Sequence, residues 1–364
     1  MNIALFVIVL LLAASNGAND NFKGVAALYS SRIASYWTCL GWASVTTLAG
    51  SLSSVLLAQA LLKAFTGAGL VPADIAGQTA FALAVAGGAG LTVAVGSWRG
   101  LPISTTHALV GAMCGAGLIA VGTGVHFTSL SKTFLLPLLA SPLIAILPAW
   151  IIAPWLRRLV ARATRDPECV CRTAAATGVT PEGVQLRGTT QVMRASNAQC
   201  KVHGARPTFL RSDARGAVNG LLFLSGGAVS FARGLNDTPK IAALLLPIAL
   251  LDGGSAVLSV GAAMLIGGLI GARRVAATMS DKITTLDLGA ALSASLTTAL
   301  LVSTASVNGL PVSTTHVSVG ALAGAGASGG SGVNRKVMTS IVLSWVITLP
   351  VGAAFGALVY ACVG

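Results

Sequence analysis

The chain has 364 residues, of which 54% are hydrophobic and 9% charged, with a mean hydropathy of +0.83 and a formal net charge of +13. A soluble globular domain carries about 25% charged residues, so the composition leaves no polar shell for a water-soluble surface and excludes that class. At about 20 apolar residues per span, the chain is expected to be an all-α polytopic membrane protein with roughly eight to twelve transmembrane segments.

Met1 to Ala14 is an apolar run that ends at Ser15-Asn-Gly-Ala18, and a further short helical stretch follows from Asp20 to Tyr29. This pattern predicts a discontinuous helix. No Lys or Arg precedes the run and Asp20 follows it at once, so it reads as retained structure and not as a targeting segment. Trp37 to Leu62 and Ile75 to Val95 read as spans. Gly100-Leu-Pro-Ile-Ser-Thr-Thr-His107 comes next, followed by Ala108 to Val121, which is too short and too glycine-rich for a separate crossing. Residues 87–122 therefore read as a helical hairpin that enters and leaves on the same side. Phe134 to Leu156 closes this part of the chain.

After a basic stretch the order repeats: Ala217 to Ala232, a second interrupted motif, Ile241 to Leu251, a span near Ser255 to Ile270, and Leu286 to Thr304 leading into a second hairpin. Ala327 to Gly332 is a flexible turn and Val337 to Val363 the last span. The repetition extends to individual residues. Gly17, Asn19, Asp20 and Lys23 recur 217 residues later as Gly234, Asn236, Asp237 and Lys240. The hairpin segment 100–107 recurs as Gly309-Leu-Pro-Val-Ser-Thr-Thr-His316, differing only at Ile103 and Val312. The chain is two related halves, residues 1–156 and 216–364, joined by a loop at 157–215.

That loop holds eleven Lys and Arg against four acidic residues, a net charge of +7. Basic residues beside span ends mark cytoplasmic loops, so it is placed inside the cell. A nucleic-acid partner is not expected, because the basic residues flank spans and Phe209 is the single aromatic side chain among them.

Polar residues inside apolar segments mark function. A helix interrupted in a membrane exposes backbone N–H groups that need a buried partner. Pro102 and Pro311 suit the first turn of a helix. Ser104, Thr105 and Thr106, with Ser313, Thr314 and Thr315, then offer hydroxyls beside the positive end of a helix dipole, which makes two anion cradles. If the halves are inverted repeats, the cradles face each other near the bilayer midplane. Asp20 and Asp237, with Asn19 and Asn236 beside them, can accept the proton of a protonated oxyanion, which favours phosphate. Three structural readings stand beside this one: the Ser-Thr-Thr segments as helix caps, Asp20–Lys23 and Asp237–Lys240 as internal ion pairs, and His107 and His316 as packed side chains and not proton carriers.

With Gly17-Ala-Asn-Asp20, Gly234-Leu-Asn-Asp237 and both Pro-x-Ser-Thr-Thr-His segments, the chain resembles the inorganic phosphate transporter (PiT) family of secondary carriers over nearly its whole length outside the central loop. The resemblance implies inverted repeats, a phosphate site between the halves, cation-driven uptake and a hydrophilic cytoplasmic loop. The chain departs from the family pattern in one place, where Lys23 and Lys240 stand for the asparagines usual three residues after each aspartate. The expectation is that these ammonium groups replace sodium ions, neutralise Asp20 and Asp237, and couple uptake to protons, with His107 and His316 as further candidates for coupling. The altered charge keeps sulfate as the alternative anion. No cofactor is expected. The remaining partners are the lipid bilayer of the cell membrane and, as one admissible assembly, a homodimer.

Cys39, Cys114 and Cys362 lie in spans and read as small apolar residues. In the loop, Cys169, Cys171, Cys200 and His203 form a candidate metal set, set against reduced thiols or a redox pair. An intramembrane enzyme built on Ser, His and Asp is disfavoured, because catalysis needs one asymmetric site and the motifs come in pairs. An anion channel is disfavoured by paired charges in the presumed midplane.

Overall fold

The computed structural model describes residues 1–67, 69–164, 214–248, 251–283, 286–329 and 332–364, together with the backbone of five short strands between 165 and 213. Among the described residues, the long helices fall into two sets of five. The first set is α1 (Asn2–Ser30), α2 (Tyr36–Leu57), α3 (Thr79–Trp98), α4 (Thr105–Val121) and α5 (Leu136–Thr164). The second is α6 (Ala214–Ala242), α7 (Gly253–Gly271), α8 (Leu288–Val307), α9 (Thr314–Ala327) and α10 (Arg335–Val363). Among the described residues, all of these except the 14-residue α9 are long and apolar enough to cross a bilayer. The strands are confined to the central segment, where Glu168–Arg172 pairs antiparallel with Val192–Ser196.

Polar caps mark where several of these helices begin. Ser35, Asp252, Asp287 and Asn334 each accept a hydrogen bond from the backbone N–H three residues on, satisfying a donor that the helix itself leaves free. Between caps the sequences are Ala, Leu, Val and Gly with little amphipathic contrast, as suits helices surrounded by other helices and lipid.

The packing exchanges the two halves. Helix α1 lies on α7 and α6 on α2; α10 lies on α4 and α5 on α9. The close approaches match. A side chain at Gly17 would run into the backbone of α7 at Met264, and one at Gly234 into the backbone of α2 at Thr47. Gly100 and Gly309 share a left-handed backbone, φ 69° and 70°, at the bend of each hairpin. Each bend is held by the other half: the Gly100 carbonyl accepts from Thr278 at 2.9 Å, and Gly309 lies against Ala60.

The hairpins open toward opposite ends of α5. Near its C-terminus, Arg157 bonds Asp287 at the start of α8 and Ser328 and the Ala325 carbonyl at the end of α9, at 2.5–2.8 Å. At the other end, the segment joining α2 to α3 meets both ends of the first hairpin, with Gly67 beside Phe81 and Val71 beside Gly117. The 29 residues of α5 separate these two ends by about 44 Å.

Two expectations change in detail. The first motif does interrupt its α-helix, but at Asp20 and not at Ser15, where the winding tightens to a 3-10 turn over Asn21–Val25 before α-helix resumes. In the second half, α6 runs through Pro239 to Ala242 and tightens only at Ala243–Leu245. Changing the pitch keeps backbone groups paired inside the apolar interior, which an open break does not. Pro102 and Pro311 lie in extended linkers and not in the first helical turn, because Ser104 and Ser313 are the N-caps.

Candidate functional site

The motif side chains converge where α1 and α6 pass the bends of the two hairpins. Asn19, Asp20, Lys23, Asn236, Asp237 and Lys240 are all buried. Lys23 pairs with Asp20 and donates to Asn19 Oδ1 at 2.8 Å, to the Ile103 carbonyl at 3.0 Å and to Thr315 Oγ1 at 2.6 Å. Lys240 donates to Asp237 Oδ1 at 3.4 Å, to the Val312 carbonyl at 2.7 Å and to Thr106 Oγ1 at 2.9 Å. Ile103 and Val312 are equivalent positions, as are Thr106 and Thr315. Each ammonium therefore sits on its own half's carboxylate and bend carbonyl, and on the other half's threonine.

The asparagines anchor α1 and α6 to the hairpins. Asn19 donates to Ser97 Oγ at 3.1 Å and to the Leu101 carbonyl at 3.0 Å, while Ser306 donates to Asn236 Oδ1 at 3.1 Å. Thr105 accepts from Asn16 at 2.9 Å, and Thr314 donates to Asp237 at 3.4 Å. Ser104 and Ser313 cap α4 and α9, accepting from the backbone N–H of His107 at 3.2 Å and of His316 at 3.3 Å. The six hydroxyls of the two Ser-Thr-Thr segments thus all have protein partners. The serines cap helices, the first threonines meet α1 and α6, and the last threonines meet lysine.

His107 and His316 stand behind the hydroxyls with ring centroids 4.6 Å apart, and His316 lies 3.9 Å from the Trp345 ring. His316 Nδ1 meets the Leu138 carbonyl at 3.0 Å, whereas His107 Nδ1 and His316 Nε2 have no hydrogen-bond partner among the described residues. Both rings line an apolar cavity of about 890 Å³ between α5, α9 and α10. Its walls are mostly hydrocarbon, with Arg335, Thr339 and the two imidazoles among them. At the lysines the space is different: a crevice of about 10 Å³ reaches Lys23 between Gly24, Val229, Ser295, Thr298 and Ser318. The Lys240 ammonium lies 5.7 Å from the Phe65 ring centroid. The two half-sites share the crossed bonding of their lysines.

The sequence reading missed Arg233 and Asn16. Arg233 is 1% exposed and donates to Asn16 Oδ1 at 3.0 Å, Asn21 Oδ1 at 3.0 Å and Thr47 Oγ1 at 3.2 Å. A signal was present, since an arginine within an apolar run is functional by default, and the expected span over 217–232 stops one residue short of it. Cys200 and His203 lie outside the described residues, and only the backbone of Cys169 and Cys171 is described, so the candidate loop metal set lies outside them too.

With this geometry in place, the family model described as "Phosphate transporter family" matches residues 16–356, which includes both motif pairs and eight of the ten long helices in full. The chain belongs to that family. Its family being one of transporters, the enzyme reading falls away. It is similar to inorganic phosphate transporter 2-1, chloroplastic, of Arabidopsis thaliana, 31% identical over 324 residues that cover 73% of this chain and 55% of that protein. It is also similar to the protein described as "Probable low-affinity inorganic phosphate transporter" of Streptomyces halstedii, 34% identical over 144 residues covering 40% of this chain and 65% of that one. The matches thus span between half and two thirds of these relatives' lengths. A solved structure titled "The sodium-dependent phosphate transporter" superposes with a TM-score of 0.76 over 99% of this chain and 98% of that one, at 22% identity, and shares the fold.

Proposed function

We propose that this chain is a secondary carrier moving inorganic phosphate across the cell membrane, with a proton gradient and not sodium as the driving force. The observation that carries the reading is the shell around Lys23. Its ammonium is held by four oxygens: a carboxylate, an amide, a backbone carbonyl and a hydroxyl. Hard metal cations take oxygen shells of this kind, and here a covalently fixed cation occupies one. Lys240 repeats it with three oxygens. The Ser-Thr-Thr helix ends, with Asn19, Asp20, Asn236 and Asp237, supply the donors and acceptors of the anion site once the lysine cages open. A 10 Å³ crevice is far smaller than a phosphate ion, so loading requires the hairpins and α1 and α6 to part. Opposite opening of the two hairpins supports inverted repeats and an alternation between faces of the membrane, with the basic 157–215 loop on the cytoplasmic side.

The test is radiolabelled phosphate and sulfate uptake into proteoliposomes under a pH gradient or a sodium gradient imposed separately. Phosphate uptake driven by the pH gradient alone is expected. Sulfate uptake in place of phosphate overturns the substrate, and a strict sodium requirement overturns the role given to Lys23 and Lys240.

A further inference from the structure

The pseudo-symmetry of the two motif copies is broken in charge at one position. Asn16 and Arg233 are equivalent, 217 residues apart, so one half places a neutral amide where the other places a guanidinium. Among the described residues, the fully buried charges at the meeting of the halves are Asp20 and Asp237 against Lys23, Lys240 and Arg233. Three cations face two carboxylates. An excess charge in an apolar interior is costly unless paired, and arginine does not relieve it by losing its proton.

The guanidinium has also been left incomplete. Its two terminal nitrogens are bonded to Asn16, Asn21 and Thr47. Among the described residues its Nε has no hydrogen-bond partner, and it stands 3.9 Å from Asp237 Oδ2, too far for a hydrogen bond. A buried N–H without an acceptor costs the full desolvation of that group. The unfilled donor and the missing negative charge occur on one side chain, between the two aspartates.

We propose that Arg233 is the substrate-positioning residue of this carrier. The transported anion is held off the pseudo-two-fold axis, on the α6 side, with Arg233 Nε–H donated to one of its oxygens and its charge balancing the third cation. This rests on the phosphate-carrier reading above and adds to it that the two half-sites are unequal: the anion belongs to the Arg233 side, while the lysines serve both halves alike.

Three variants and two measurements test this. Arg233→Asn gives the two half-sites the same residue at this position, Arg233→Lys keeps the charge without the fork, and the exchange Asn16→Arg with Arg233→Asn moves the guanidinium to the other half. Equilibrium binding of inorganic phosphate to the purified protein and the KM and kcat of uptake are measured for each, with thermal unfolding as the check on folding. The expected result is a loss of phosphate affinity and a rise in KM of at least tenfold in Arg233→Asn, with kcat changed less, and partial recovery in Arg233→Lys and in the exchanged protein. Wild-type phosphate affinity in a folded Arg233→Asn protein overturns the proposal. Should Arg233→Asn fail to fold, wild-type affinity and KM in Arg233→Lys overturn it instead, because a lysine cannot reproduce a donation from Nε. If the unaltered protein binds and carries no phosphate, the carrier reading itself fails, an outcome seen before any variant is compared.

Discussion

Lys23 of α1 donates to Thr315 of α9 at 2.6 Å, across 292 residues of chain, and that hydroxyl in turn donates to the Ile103 carbonyl of the first hairpin at 2.9 Å. One ammonium thereby ties together α1 and the bends of both hairpins. Lys240 makes the corresponding link to Thr106, whose own hydroxyl lies 3.4 Å from the Val312 carbonyl. The halves are fastened to each other through the residues proposed to couple transport, so the fastening is broken whenever those residues exchange partners.

Replacing both lysines with asparagine removes the fixed cations and leaves Asp20 and Asp237 facing their oxygen shells without them. Uptake by the Lys23→Asn, Lys240→Asn protein is expected to require sodium, which transport under a sodium gradient with no pH gradient reads directly. Uptake that stays independent of sodium and keeps its original pH dependence shows that the lysines are structural.

The crossed hydroxyls are expected to be worth more than ordinary side-chain bonds, because their partners are charged. Hydrogen bonds to charged groups contribute about 1.5–3 kcal/mol. A double-mutant cycle on Lys240→Met and Thr106→Val, followed by thermal unfolding in detergent, should return a coupling of that order.

Gly17→Ala and Gly234→Ala place a methyl group against the backbone of α7 and of α2 respectively. Backbone cannot move aside as a flexible side chain does, so each substitution should destabilise the protein by about 1–3 kcal/mol or more. Gly41, where an added methyl meets nothing within 4 Å, is the control and should tolerate Ala with no loss. A similar drop in unfolding temperature for all three would contradict the packing described.

Ser104→Ala and Ser313→Ala remove the caps of α4 and α9. Each should cost about 1 kcal/mol, and replacement by Asp or Asn should restore stability, since those residues cap as well. Restored stability with lost uptake would separate the serines' capping from contact with the anion.

Arg157→Ala removes the bonds to Asp287, Ser328 and the Ala325 carbonyl. The expected outcome is faster amide hydrogen exchange at the ends of α8 and α9 and unchanged exchange around the first hairpin, measured by mass spectrometry. Equal acceleration in both hairpins would mean that Arg157 supports the whole fold and not one end of it.

The sequence by itself determined that this is a membrane protein of two related halves, that each half carries a polar motif and a Ser-Thr-Thr hairpin, and that lysine stands at both altered positions. These are properties of composition and of short repeated strings, legible without knowing what touches what. Helix existence was legible for the same reason, although α4, read as too short for a crossing of its own, is long and apolar enough for one. Only the tertiary structure decided the crossing of Lys23 to Thr315 and Lys240 to Thr106, since either lysine could as well have met its own half's threonine. It also decided that Ser104 and Ser313 are spent on caps, that the motif helices change pitch where a break was expected, and that Arg233 joins the site. The reason is physical. Helices that are apolar on every face carry little periodicity to say which face meets which neighbour, so their pairing is set by close approaches at residues such as Gly17 and Gly234, and those approaches appear only when the helices are packed.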